Sequence, residues 1–336
     1  MKIVPLTGSD VYFIEQANLV AGSSLIYDQN FEQCYNPASF DPATEYLAEE
    51  VAKRIRRIPA SSPDQQAFEF VVQPQKIINI NGTVVPFNLI HPYNYFHFLI
   101  ESLPTLFVLI ASQTIHREHV IVSGILHPNM MQALNLITGD RFQLIELHLL
   151  NSVKSAKTVV MRDSFSCNEL INGNMPENHE FNASNLLALR SFFGKYVQPP
   201  ADPGEQKLFV VRQSGQRNIV NIKELIAVAG LHNFKVVYAD SLSFFQQLQL
   251  FSTASVIVGP TGAWLANLLF VNAAAKVKVL YPVTCKTPVS IWQKLGGLFG
   301  IDVSDHYFND IVLNACQPIH SDFVVDAGAF ADILKS

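Results

Sequence analysis

The chain has 336 residues, of which 49% are hydrophobic and only 15% charged, with a net charge of −5. That length fits two ordinary domains, each able to bury a core. The negative balance argues against nucleic acid as the main partner, and so sparse a charge suits a surface resting against a partner or a membrane.

No segment reaches the roughly 18–20 uninterrupted apolar residues of a membrane span. The start, Met1 to Asp10, lacks a signal-peptide core, so a cytoplasmic protein is expected. Cys34, Cys167, Cys285 and Cys316 are far apart without a CxxC, which predicts neither a zinc site nor a dense disulfide framework. The sequons at Asn81-Gly82-Thr83 and Asn182-Ala183-Ser184 mean nothing in a cytosolic chain.

Residues 1–40 show no period and read as irregular. Ala43 to Ile58 reads as a helix, with Leu47, Val51, Ile55 and Ile58 on one stripe and Glu49–Lys53 and Glu50–Arg54 as i,i+4 pairs. Its basic end, Lys53, Arg54, Arg56 and Arg57, could make peripheral contact with an anionic bilayer. The favoured reading is a solvated helix end whose cations match the dipole. After a break at Ala60 to Asp64, Phe68–Gln73, Lys76–Ile80 and Thr83–Asn88 read as strands, with Asn81-Gly82 as a hairpin turn.

A helix over Tyr93 to Leu103 would put Asn94, His97 and Glu101 on one stripe, at i, i+3 and i+7, with Pro104 kinking or ending it. The other faces carry Phe96, Phe98, Leu99 and Ile100. Three polar residues on so apolar a helix must find partners or line a cavity. For His97, an internal hydrogen-bonded cluster is as good a reading as a functional one. His119–Ser123 and Phe142–Leu147 read as strands around a helix at Asn129–Ile137. His116 and His119 lack a third metal ligand, so no metal site is expected. Ala156–Met161 reads as a strand and Phe181–Tyr196 as a helix. The Pro-rich run Gln198 to Glu205 reads as a linker. It divides the chain into domains 1–197 and 207–336 around a linker at 198–206.

The second half alternates strands and helices. Strands fall at Leu208–Arg212, Phe234–Tyr238, Ser255–Val258 and Lys276–Tyr281. Helices fall at Ile222–Leu231, Ser241–Ser252 and Ala263–Phe270. This alternation predicts a doubly wound parallel sheet. The turn Gly259-Pro260-Thr261-Gly262 should end one strand and start a helix at Ala263. Thr261 would cap that helix, and Gly262 would permit a close approach. Such a helix start favours an anion. Arg212 and Arg217 follow a strand end on the same edge, and guanidiniums fork onto phosphate oxygens.

These residues, in order, resemble the signature of glycosyltransferase family 61. The matching positions are Arg212, Arg217 and Asn221, then Ser243-Phe244, Gln247, Phe251 and Ala254, then Gly259 to Ala263, Leu265, Asn267 and Phe270. Asn94 to Pro104 resembles the family's motif in the first half. The resemblance spans roughly residues 70–285. Three departures stand out: Thr261 where the family commonly has His, Trp264 where it often has Gly, and Glu101 where it often has Asp.

The resemblance implies a GT-B fold, two Rossmann-like α/β domains facing a cleft. It also implies inverting transfer from a nucleotide-sugar donor, UDP- or CMP-linked, to a saccharide or lipid-linked saccharide, in capsule or lipopolysaccharide assembly. Arg212, Arg217, Asn221, Gln247, Gly259, Pro260, Thr261, Gly262, Ala263 and Asn267 would bind the donor. Asn94 and His97 would bind the acceptor, and Glu101 or His97 would be the general base. No metal or other cofactor is implied. Two alternatives stand beside this reading. One is a catalytically inactive nucleotide-sugar-binding member of the same fold. The other is an unrelated doubly wound enzyme such as a dehydrogenase, which should show a glycine fingerprint that this chain lacks.

Overall fold

The computed structural model describes residues 2–5, 10–23, 25–30, 32–36, 55–58, 67–70, 76–139, 141–149, 151–167, 179–198, 206–212, 216–287, 289–312 and 320–336. It is a mixed α/β protein whose contacts divide into two units. One comprises residues 1–168 with 180–188, and the other 169–179 with 189–336. The division falls within the helix Ala183–Gly194.

The first unit is built on a nine-stranded sheet. Its strands are β1 (Lys2–Pro5), β2 (Val11–Glu15), β3 (Asn18–Val20), β4 (Ile26–Tyr27), β5 (Gln33–Asn36), β8 (Lys76–Phe87), β9 (Val120–Gly124), β10 (Gln143–Leu147) and β11 (Asn151–Met161). A separate antiparallel pair joins β6 (Ile55–Ile58) to β7 (Ala67–Phe70), and β12 (Phe165–Cys167) pairs with β13 (His179–Phe181). In the large sheet β11, β8, β9 and β10 lie side by side and all run parallel. The chain leaves β8 toward β9 and β10, then returns to place β11 on the other side of β8. The β8–β11 boundary is therefore a switch point, where the crevice of an α/β sheet opens beyond the strands' carboxyl ends. The core beneath is apolar, with Leu19, Ile26, Val84, Val122 and Val153 fully buried.

Four sequence-based expectations change here. Residues 1–36 contain five strands instead of irregular chain, because short edge strands of two to five residues show too little alternation to be read. Residues 55–58 of the expected Ala43–Ile58 helix form β6, placing Arg56 opposite Glu69 and Arg57 opposite Phe68. The rest of that helix, with Lys53 and Arg54, lies outside the described residues. Asn81-Gly82 is no hairpin turn: β8 runs through it, and the pairing with β11 shifts register between Ser155 and Lys157. Glycine within a strand marks such an irregularity as readily as a turn. Finally, Pro104 does not end its helix. It sits in the first turn of the helix Leu103–Ala111, where a missing N–H costs nothing, and a π-helical turn, His97–Ser102, precedes it.

The second unit is built on a five-stranded parallel sheet of β14 (Gln206–Val210), β15 (Lys235–Val237), β16 (Ala254–Pro260), β17 (Lys276–Pro282) and β18 (Asp302–Phe308), in the order β15-β14-β16-β17-β18. This is a doubly wound order, with its switch point between β14 and β16. Helices Ile222–Leu231 and Phe244–Thr253 form the crossovers. Ser243 and Gln246 close a reciprocal capping box on the second of these helices. A small antiparallel pair, β19 (Asp310–Val312) with β20 (Asp322–Phe323), and the helix Ala327–Lys335 complete the unit. Phe209, Phe323 and Phe330 anchor its core.

Candidate active site

At the second unit's switch point, Arg212 follows β14 and the Gly-Pro-Thr-Gly turn ends β16. The Arg212 guanidinium reaches across and donates from Nη1 to the Thr261 carbonyl at 2.9 Å. Glycines make this approach possible. A Cβ on Gly262 would stand 3.0 Å from Arg212 Nη1, and one on Gly259 would stand 2.9 Å from both the Val210 carbonyl and the Trp264 ring. Arg217 carries a φ of +55°, a backbone region arginine seldom adopts, and its N–H donates to the His320 carbonyl at 3.3 Å. Its Nε is buried without a hydrogen-bond partner, as is Nδ1 of His320. Burial lowers the pKa of both arginines, Arg212 to about 10 with Arg217's charge adding to the effect. Burial and then the two guanidiniums lower His320 to about 4. The site is thus a desolvated concentration of positive charge at a strand-end crevice.

The turn itself differs from expectation. Thr261 does not cap a helix. It is 1% exposed, its N–H donates to Leu280, and its hydroxyl accepts from Trp292 Nε1 at 3.0 Å. Trp264 Nε1 donates to the Pro260 carbonyl at 2.6 Å, so two indoles hold the turn from either side. The turn leads into a 3-10 helix of seven residues, Ala263–Leu269, not an α-helix. Its short run of tight turns offers a weaker dipole than an α-helix would, so the guanidiniums carry the positive charge.

Asn221 precedes the helix Ile222–Leu231, and its side chain bridges to Val325, donating to that carbonyl at 2.8 Å and accepting from that N–H at 3.2 Å. Gln247 and Asn267 are 3% and 0% exposed and bond to each other at 2.9 Å. These three side chains fasten the elements that carry the arginines and the turn. Trp292 and His320 went unnoticed in the sequence because each comes from a distant element.

In the first unit, the helix after β8 carries the other cluster. Asn94 Oδ1 accepts from the Phe96 N–H at 3.0 Å and its carbonyl from the Phe98 N–H at 3.0 Å, which fixes the helix start. His97 Nδ1 and Glu101 Oε2 share a very short hydrogen bond one turn apart. The π-helical turn places both, and such turns collect at functional sites. His91 stacks on His97, with centroids 4.0 Å apart and planes at 23°. Burial raises the Glu101 carboxyl to about 8 and lowers His97 to about 4. Burial, helped by His97, also lowers His91 to about 2. At neutral pH the Glu101 hydroxyl therefore donates to a neutral His97 ring.

The loop leaving β11 adds a residue the sequence reading missed, Asp163. Ser164 donates its N–H to the Glu101 carbonyl at 2.9 Å, and Thr105 Oγ1 donates to the Arg162 carbonyl at 3.2 Å. Ser164 Oγ meets Thr105 Oγ1 at 2.9 Å and accepts from Asn185 Nδ2 at 3.1 Å. Clamped on both sides, Asp163 faces the Glu101 neighbourhood. Burial and then the Glu101 charge raise its pKa well above the carboxylate range. Its position just past a strand's carboxyl end was the available signal. Among the described residues no group of three His, Cys, Asp or Glu side chains is placed to hold a metal ion, and no helix is long and apolar enough to cross a membrane.

A comparison with protein families matches the chain, over residues 95–278, to the family described as Glycosyltransferase 61. That span covers more than half of the chain and includes His97, Glu101, Asp163, Arg212, Arg217 and the Gly259–Gly262 turn. No curated protein matches it.

Proposed function

The chain belongs to glycosyltransferase family 61, and from that premise we propose that it transfers a sugar, with inversion, from a nucleotide-sugar donor to a hydroxyl acceptor. One observation carries the donor assignment. Arg217 holds a buried Nε without a partner beside Arg212, at the switch point where α/β sheets bind ligands. A desolvated charge of this kind needs an anion, and the phosphate of a nucleotide leaving group supplies one. Arg212 and Arg217 stabilise the charge that develops on that leaving group, which makes a divalent cation unnecessary. The backbone of Gly259 to Ala263 lines the approach. Asn221, Gln247 and Asn267 hold the surrounding elements in place.

The first unit takes the acceptor, in a GT-B arrangement. Asn94 sets the helix start and His97 orients the acceptor hydroxyl. Glu101, once ionised, removes its proton as the oxygen attacks the anomeric carbon. The transfer belongs to surface polysaccharide assembly in the cytoplasm, on a saccharide or lipid-linked acceptor. The buried Thr261 hydroxyl, bonded to Trp292 where the family commonly has His, favours one second reading: a member that binds donor without transfer.

The test is calorimetric titration with UDP and CMP, followed by mass-spectrometric assay of product from UDP- and CMP-sugars with saccharide acceptors. Nucleotide binding with a new glycosidic product supports transfer. Binding without product supports the second reading, and absence of binding to either nucleotide refutes both.

A further inference from the structure

The first unit's switch point holds a pocket that the donor chemistry leaves unused. Its floor is the end of β8 (Val85 to Phe87) with the adjoining Asn88, and its sides are the end of β11 with Asp163 and the helix bearing Glu101 and Thr105. Most of the lining is apolar. Its polar groups are few and convergent, as in a site that orients a small ligand.

Asn88 supplies the decisive observation. It is only 7% exposed, it lines the pocket, and its Nδ2 has no hydrogen-bond partner. A buried amide donor without an acceptor is unfavourable, because its lost hydration is not replaced. The backbone at Asn88 also has a φ of +46°, a conformation asparagine tolerates better than most residues. Asn88 thus combines an unmet donor with an uncommon backbone, at the carboxyl end of a strand beside a topological switch. Opposite stand two carboxyl groups, Glu101 and Asp163, brought together by the Ser164 and Thr105 clamp.

We propose that this pocket binds the hydroxyl-bearing edge of a pyranoside acceptor, with Asn88 Nδ2 donating to a ring hydroxyl oxygen and Asp163 pairing with a neighbouring hydroxyl. Adjacent hydroxyls on a sugar each donate and accept, so one fixed amide donor and one carboxyl group match a vicinal pair. Glu101 is then left for the hydroxyl that attacks. Asn88 and Asp163 are specificity-determining residues on this assignment. The inference rests on the transferase reading and names the side chains that choose the acceptor.

The experiment uses the full chain and four probes: the methyl glycosides of glucose, galactose, mannose and N-acetylglucosamine. Saturation-transfer NMR reads their binding, and UDP and CMP titrations run on the same samples. Two variants invert the hydrogen-bond chemistry at nearly constant shape, Asp163→Asn and Asn88→Asp. The second keeps a residue suited to positive φ.

We expect at least one glycoside to bind, and each variant to weaken it about ten-fold or more, the scale of a hydrogen bond to a charged or buried group. Nucleotide affinity should stay unchanged, because both residues lie in the other unit from Arg212. Equal glycoside binding by wild type and both variants overturns the proposal. So does the absence of glycoside binding in a protein that binds nucleotide. Loss of nucleotide binding in the wild type refutes the donor reading instead, whatever the glycosides do. Should one variant fail to fold, the other still decides, since each removes a different partner of the same ligand.

Discussion

Replacing Glu101 by Gln tests the chemistry and the electrostatics of the first unit together. Glu101 is 4% exposed, and burial raises its carboxyl from 4.5 to about 8. Below 4.5 the group is neutral in both folded and unfolded chains and costs nothing. Between 4.5 and about 8 the unfolded chain ionises while the folded one does not. The folded state then loses about 1.36 kcal/mol per pH unit, and the loss is complete once pH passes about 8. The interval is 8 − 4.5 = 3.5 units, which sets a ceiling of about 5 kcal/mol. The neighbouring Asp163 carboxyl is coupled to Glu101, so the titration belongs to the pair.

Glutamine stays neutral, keeps the shape, and can donate to His97 Nδ1 in place of the carboxyl proton. Urea unfolding of wild type and Glu101→Gln at pH 5 and pH 9 should therefore give similar stabilities at the acid end. At the alkaline end the variant should be the more stable. The same preparation should bind donor normally and lose transfer by about 10²-fold or more, the scale of a missing general base. Wild-type transfer should rise as pH passes through about 8, because only the ionised carboxyl accepts a proton. Parallel stability curves would refute the buried carboxyl. A stable variant with near-wild-type turnover would remove Glu101 from the mechanism and leave His97 as base.

Arg212→Ala and Arg217→Ala should each weaken UDP or CMP binding by about 1.5–3 kcal/mol in calorimetry. Only Arg212→Ala should also lower the melting temperature, because it strips the Thr261 carbonyl of its donor, whereas Arg217 Nε has no partner to lose. Unchanged affinity in both would sink the anion site. Transfer should persist in EDTA, and a complete loss restored by Mg²⁺ or Mn²⁺ would count against charge supplied by arginines. Trp292→Phe removes the donor to the buried Thr261 hydroxyl and should destabilise the protein by about 1–2 kcal/mol, read as a drop of several degrees in Tm.

Much of this protein was legible in the chain itself. Alternation of apolar strands with helical segments in residues 206–282 determined a parallel doubly wound sheet, because each period matches one element's geometry. The positions of Arg212 just past one strand and of the Gly259–Gly262 turn at the end of another came from the same pattern, and the apolar run around residues 96–103 placed His97 and Glu101 on one helical segment. Tertiary structure decided the rest, for reasons that local sequence does not carry. Whether Asn81-Gly82 turns the chain back or sits within a continuous strand depends on β11, some 70 residues away. Whether Thr261 caps a helix or lies locked in the core depends on Trp292, 31 residues on. Strand order created both switch points, and order is a property of crossovers, not of any segment's periodicity. Asp163 meets Glu101, and His320 meets Arg217, only because hydrogen bonds between distant elements pin them there. Desolvation then set the charge of each group. A glutamate reads the same at every place in a sequence, and only the apolar walls around Glu101 make it an acid that titrates near 8.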